Sequence, residues 1–120
     1  MQTVVVLGAS PKPGRFAYKA LVKLKQAGYT VLPVHPKAES IENIKVFSTL
    51  EAIDQPVDTM TLYVGPARMI SQVETVCALK PTRVIFNPGT ESDDIQQRFE
   101  QAGIECVIDC TLIMLDENRF

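Results

Sequence analysis

An α/β domain built on a doubly wound parallel sheet is the fold class this 120-residue sequence predicts, and two observations carry that prediction. Short β-branched or apolar runs alternate with helix-period stretches from one end of the chain to the other, joined by short connections. Glycine then follows two of the amphipathic stretches, at Gly28 and Gly103, where a helix needs a left-handed stop. Alternation with short crossovers implies parallel strands, right-handed connections and helices on both faces.

The elements follow in order. Thr3–Leu7 is a β-branched run of the kind found in a strand buried on both sides. Residues 16–27 place Ala17, Ala20, Leu21, Leu24 and Ala27 on one helical stripe. Thr30–Val34 is a second strand, closed by Pro33 and Pro36, and residues 45–47 read as a short edge strand. Ser48-Thr49-Leu50-Glu51 has capping-box spacing and opens a short helix that ends before Pro56. Residues 59–64 read as a strand. Residues 66–79 read as a helix with Pro66 at its first position and Ile70, Val73 and Cys77 facing inward. Arg83–Phe86 is a strand, and residues 91–102 are a helix capped by Thr90 or Ser92, with Ile95 and Phe99 inward. Residues 104–108 form the last strand, and 109–120 a short tail. One Rossmann-like domain of five or six strands results, with the order 3-2-1-4-5-6.

Composition narrows the function classes. Apolar residues at 46% and charged residues at 22% suit a globular domain. No apolar run approaches the roughly 18 residues needed to span a bilayer. The opening residues lack the basic-then-apolar pattern of a secretory leader, so a cytoplasmic protein is expected. Cys77, Cys106, Cys110 and the lone His35 have no zinc-ligand spacing, which leaves reduced thiols as the plain reading. Residues 1–38 hold six of the twelve cations and none of the fourteen acids. Such segregation favours an electropositive face that attracts an anion. Lys19, Lys23 and Lys25 read as the solvated face of the first helix. A nucleic-acid module is disfavoured, because aromatic residues reach only 7% and no stacking cluster accompanies the lysines.

In a doubly wound sheet, ligands bind beyond the carboxyl ends of the strands where the winding reverses. The loops after the strands are therefore the candidate site: residues 8–15, 35–39, 65–66 and 87–90. Gly8 permits a tight turn off the first strand, and Gly14 lets the chain pass close to a ligand or to the sheet. The helix after Gly14 aims its free N–H groups at the same place, an anion site by geometry, and Lys12 and Arg15 add full charges. Arg15 in the first turn opposes the helix dipole, a cost a bound phosphate offsets. Ser10 either donates to that phosphate or caps the turn. The spacing is nevertheless not GxGxxG, and Pro11 and Pro13 remove two donors, so a pyrophosphate cannot be wrapped in the usual way. Where an NAD-binding chain carries a ribose-binding acid, this one has Val34-His35-Pro36-Lys37. A cation there argues for a ligand with an extra phosphate near its ribose: coenzyme A, or NADP on charge alone.

The stretches VLGASPKPGR (6–15) and GYTVLPVHPK (28–37), with residues 46–53, Pro56-Val57-Asp58 and Asn87-Pro88-Gly89, resemble the stand-alone CoA-binding domain family. That family is related to the CoA-binding domain of the succinyl-CoA synthetase alpha subunit. The resemblance covers nearly the whole chain and implies a Rossmann-type fold that binds coenzyme A without an established reaction. By that likeness Gly8, Ala9, Ser10, Lys12 and Arg15 face the phosphates. Pro33, His35, Pro36 and Lys37 border the adenosine end, while Val64, Gly65, Pro66 and Asn87, Pro88, Gly89, Thr90 line the rest. Many relatives have Asn at His35, a Trp-x-Gln-x-Gly loop at residues 86–89 and Asp-Arg-Cys at 109–111.

No catalytic constellation accompanies these loops. A lone His35 beside Pro36 reads as a loop contact, Cys110 as a small buried hydrophobe with a thiol role as its alternative, and Asp109 as a loop cap. The expected protein is a non-catalytic coenzyme A or acyl-CoA carrier, sensor or accessory protein. An NADP-binding oxidoreductase-type domain is the alternative, and it lacks a recognisable hydride-acceptor site. A protein partner or a second copy is left open.

Overall fold

The computed structural model describes residues 2–120. In chain order these form β1 (Thr3–Leu7), α1 (Phe16–Gln26), β2 (Thr30–Val34), β3 (Ser40–Ile41), β4 (Ile44–Lys45) and β5 (Thr59–Leu62). There follow α2 (Pro66–Met69), α3 (Val73–Leu79), β6 (Arg83–Phe86), α4 (Asp93–Gln101), β7 (Glu105–Ile108) and α5 (Thr111–Asp116). Five strands make one parallel sheet in the order β2-β1-β5-β6-β7. This is the expected order with its outermost strand reduced to a single contact. Residues 45–47 do not form an edge strand. Ile44 and Lys45 instead close a small antiparallel hairpin with β3 through Glu42 and Asn43, both at positive φ. Only Phe47 reaches β2: its N–H donates to the Pro33 carbonyl at 2.8 Å, and its carbonyl accepts from His35 N–H at 3.0 Å. Pro33 has no N–H to offer on that side, which keeps the edge from extending into a full ladder.

Successive β1 residues point to opposite faces, and both faces are buried, which is why the run is apolar without alternation. On one face Val5, Leu7, Met60, Leu62, Val84 and Phe86 pack under Met69, Val73 and Val76 of the α2–α3 segment and Ile95 and Phe99 of α4. On the other, Val4, Val6 and Val31 pack under Ala17, Leu21 and Leu24 of α1. The winding reverses between β1 and β5, so the loops leaving these two strands open on a crevice at the carboxyl end of the sheet.

Several expected elements take a different form. The helix over residues 66–79 is broken: a 3₁₀ turn at Ile70–Gln72 separates α2 from α3. Met69 rather than Ile70 joins Val73 on the inner side, and Ile70 is left 49% exposed. The capping box does not form either. Thr49 precedes a single 3₁₀ turn (Leu50–Ala52) without a side-chain cap, and the Glu51 carboxylate accepts from Thr75 Oγ1 at 3.3 Å. At α4 the two N-cap candidates resolve to Ser92, whose Oγ accepts from Ile95 N–H at 3.2 Å. The expected C-terminal tail contains α5, which packs beside α1 and carries the Lys23–Asp116 ion pair. Beyond α5, Phe120 meets the Tyr29 ring edge-on at 5.2 Å, and Arg119 bonds Asp109 Oδ2 at 2.8 Å.

A buried polar plug joins β5, β6 and α5. Asn87 Nδ2 donates to Thr61 Oγ1 at 2.6 Å and to the Leu62 carbonyl at 2.8 Å, while its Oδ1 accepts from Thr111 N–H at 2.9 Å. Replacing Asn87 with Ala leaves buried groups without partners at about 1–3 kcal/mol each. Asn87→Ala is expected to lower the unfolding free energy by about 2–4 kcal/mol in urea titration.

Gly8 fixes the first loop over β5. Its φ is +89°, and a Cβ there would lie 2.8 Å from both the Tyr63 carbonyl oxygen and Val64 Cγ2. Gly8→Ala is expected to cost about 2 kcal/mol or more, since left-handed strain of roughly 1–2 kcal/mol adds to a backbone clash. A chemical denaturation curve with unchanged slope and lower midpoint is the expected readout.

The C-terminal tie is pH-sensitive. The Arg119 guanidinium, helped by Cys110 N–H, holds the Asp109 carboxyl below the ordinary carboxylate range. A depressed carboxyl supports the fold above its unfolded value, near 3.9, and that support is lost as pH falls through the folded value. Carbon-13 NMR titration should place the Asp109 midpoint below that of a free aspartate, and Arg119→Met should move it back up.

Candidate functional site

The crevice is built from the loops after β1, β2 and β5. Ala9 N–H donates to the Val34 carbonyl at 3.1 Å, which ties the first loop to the end of β2. Ser10 Oγ accepts from Lys12 N–H at 3.1 Å, so the turn-capping role is filled and the hydroxyl proton is left to donate elsewhere. Arg15 N–H closes a turn onto the Lys12 carbonyl at 3.0 Å. Arg15 itself is the N-cap, with extended φ and ψ of −82° and 143°, rather than a first-turn residue; the helix begins at Phe16. Gly14 has open space around its Cα and no positive φ, so the close approach to the sheet open to it in sequence is not made.

Two adjoining hollows result. The larger, about 600 Å³, is walled by residues 8–12, by Arg15, Phe16 and Ala17 at the head of α1, by Val34, His35 and Pro36 after β2, and by Tyr63, Val64 and Arg68. The smaller, about 410 Å³, shares Gly8, Val34, Pro36, Val64 and Arg68 and extends under Ser48, Thr49, Glu51, Ser71 and Gln72. The volumes fall in the range of small-molecule sites.

α1 opens into this space without help. No side chain caps it and its first turn has no acid, while Arg15 stands at its N-cap. Its leading N–H groups have no partner within the helix. The ion pairs of the described residues involve Lys23 with Asp116, and Arg119 with Asp109 and Glu117. Lys12, Arg15 and Arg68 have no carboxylate within 4 Å among the described residues. The larger hollow is thus lined by three cations that no carboxylate neutralises among the described residues, a setting that favours negative charge.

His35 is engaged in holding its own turn. Its Nδ1 accepts from Lys37 N–H at 3.1 Å and Ala38 N–H at 2.9 Å, which assigns the ring proton to Nε2. Burial pushes the Tyr63 phenol up to about 12, with hydrogen bonds to Thr111 and Thr61 opposing that rise. Tyr63, a wall residue of the larger hollow, therefore keeps its proton at neutral pH. Cys106, whose thiol is pushed up to about 11 first by burial, lies on β7 and lines neither hollow. Among the described residues no three His, Cys, Asp or Glu are grouped to hold a metal, and no helix is long and apolar enough to cross a membrane.

The candidate residues of the sequence divide into two sets. Gly8, Ala9, Ser10, Lys12, Arg15, His35, Pro36 and Val64 come together on the hollows. Pro33 lies within the β2 edge, Lys37 on the exposed turn after it, and Gly65 and Pro66 at the head of α2. Asn87 and Thr90 are buried, with Thr90 Oγ1 donating to the Asn87 carbonyl at 2.8 Å, while Pro88 and Gly89 are exposed. None of these eight, nor Gly14, lines either hollow. Sequence reasoning missed Tyr63, Arg68 and the floor of the smaller hollow. For Arg68 a signal existed: a cation one turn into the helix that leaves a central strand.

Comparison with known proteins bears on the ligand class. A family model described as a CoA binding domain matches residues 2–116. The alpha subunit of ADP-forming acetate–CoA ligase I from Pyrococcus furiosus is 34% identical over 90 residues, which is 70% of this chain. The match covers 19% of that subunit, so the chain spans about a fifth of its length. The Bacillus subtilis protein YneT is 22% identical over 106 residues, covering 88% of this chain and 78% of YneT. The crystal structure of an uncharacterized protein superposes with a TM-score of 0.93 at 39% identity, over 100% of this chain and 98% of the other. A family match from residue 2 to residue 116, on a sheet whose reversal point opens into a cationic hollow, makes this chain a member of the CoA-binding domain family.

Proposed function

We propose that this protein binds coenzyme A or an acyl-CoA in the crevice at the carboxyl end of its sheet, as a carrier, sensor or accessory protein that performs no chemistry of its own. The observation that carries the reading is the head of α1. An eleven-residue helix with no side-chain cap and no acid in its first turn opens into the larger hollow beside Lys12 and Arg15, both without a carboxylate partner among the described residues. A diphosphate suits that place, because the free N–H groups and the helix dipole favour negative charge. The residues also fit the rest of the ligand: Val34, Pro36 and Val64 give the crevice an apolar wall beside its charged end. Coenzyme A, when bound, supplies a thiol that carries acyl groups as thioesters. The family match supports coenzyme A and gives no support to NADP.

Support for a binding role comes from the groups nearest the hollow. The His35 Nδ1 lone pair is occupied by two backbone N–H groups. Tyr63 holds its proton far above neutral pH. Neither stands ready as a base. The three free cysteines suit a reducing cytoplasmic setting.

Thermal shift with coenzyme A, NADP and NAD tests the ligand. At a concentration 100 times its dissociation constant, coenzyme A is expected to stabilise the protein by about 2.7 kcal/mol. Arg15→Glu should act with opposite signs on the two states. An acid beside the α1 N-terminus raises the stability of the free protein by roughly 0.3–1 kcal/mol. The same change weakens coenzyme A about tenfold or more, through loss of a charge-assisted contact. A shift with NADP and none with coenzyme A overturns the reading.

A further inference from the structure

The two hollows meet along a shared wall, and a single cation stands on it. Arg68 lines both. Its backbone is fixed in α2, with its N–H donating to the Gly65 carbonyl at 3.1 Å and its carbonyl accepting from Ser71 Oγ at 3.2 Å. Its guanidinium has no carboxylate within 4 Å among the described residues. From these observations we infer that Arg68 is the specificity-determining residue for the ribose 3′-phosphate of coenzyme A. This inference rests on the coenzyme A reading above.

The chemistry of the ligand asks for two anion-holding places a ribose apart: one for the 5′-diphosphate and one for the 3′-monophosphate. The head of α1 with Lys12 and Arg15 answers the first. The smaller hollow answers the second, and Arg68 is the only cation on its lining. Arginine suits a phosphate there because its planar fork donates two parallel hydrogen bonds. The Ser48 and Thr49 hydroxyls line the same hollow and can donate to phosphate oxygens. Glu51, the opposing charge on this lining, has its carboxylate bonded to Thr75 Oγ1 on α3 and is not within 4 Å of the Arg68 guanidinium, so it does not neutralise that cation. Lys37, the rival cation, sits on the exposed turn after β2 and lines neither hollow. A lysine there can add long-range attraction without choosing between ligands that differ by one phosphate.

Calorimetric titration of the whole chain with coenzyme A and dephospho-coenzyme A tests the assignment on four proteins: the wild type, Arg68→Gln, Arg68→Lys and Lys37→Gln. The wild type should prefer coenzyme A by about tenfold, the worth of one charge-assisted phosphate contact. Arg68→Gln should remove that preference by weakening coenzyme A alone, with dephospho-coenzyme A unchanged within about twofold. Arg68→Lys should restore part of it, and Lys37→Gln should keep it. Arg68 is exposed, so thermal melts of the free variants should match the wild type. Equal weakening of both ligands in Arg68→Gln, or no weakening, overturns the inference. Loss of selectivity in Lys37→Gln with retention in Arg68→Gln gives the role to Lys37. A wild type that binds both ligands equally refutes the inference alone, whereas one that binds neither refutes the coenzyme A reading and the inference with it.

Discussion

β1 and β5 are neighbours in the sheet, and the chain leaves both on the same side, so two loops compete for one space above their carboxyl ends. Gly8 resolves that competition. With no Cβ and a φ of +89°, it lets the first loop pass over the Tyr63 carbonyl at a distance no side chain permits. Ala9 then reaches the Val34 carbonyl, and the chain turns through Lys12 and Arg15 into α1. A wider first turn would lift this loop off β5 and move the head of α1 away from Val64 and Arg68. The positions of the cations in the crevice therefore depend on a contact that involves no charge at all.

The acid-free opening of the chain is sorted by the fold into two roles. Lys12 and Arg15 face the crevice, and neither is neutralised by a carboxylate among the described residues. Lys23 pairs with Asp116 of α5, and Lys25 Nζ donates to the Glu42 carbonyl at 2.6 Å. Outer-face charges are thus used to dock the C-terminal helix and the β3–β4 hairpin against α1, while the inner ones are left free. A bare count of lysines could not separate these roles, because the separation lies in whether each residue stands in the loop and cap before α1 or in its last turns.

What the sequence reveals and what it hides follow from where the information lies. β1, β2, β6, α1 and α4 are legible because their patterns are local, and glycines follow both helices. α5 is hidden because six residues show barely two turns, and such a helix forms only by packing on α1. The break at Ile70–Gln72 is hidden for a related reason: the apolar spacing fits one continuous helix, and only packing over β5 selects the tighter turn. In the site, the loops after β1 and β2 announce themselves through Gly, Pro and cations. Tyr63, Ser48 and Thr49 carry no such mark, and Arg68 carries only its charge at the start of the helix after β5. Their juxtaposition is a product of the crossover, which brings residues far apart in the chain to one wall.

The loop after β6 shows how the same crossover sets the direction of the crevice. By position it belongs with the other three, since it too leaves the carboxyl end of a central strand. Asn87, however, has its side-chain amide engaged in holding Thr61, Leu62 and Thr111, and Thr90 is turned back onto the Asn87 carbonyl. Polar groups so occupied cannot also serve a ligand without leaving buried partners unsatisfied. The crevice accordingly runs from the head of α1 across the end of β5 to α2, away from β6. Along that line Lys12 and Arg15 stand beside the head of α1 and Arg68 on the wall that the two hollows share, so positive charge is spread along the crevice rather than gathered at one point.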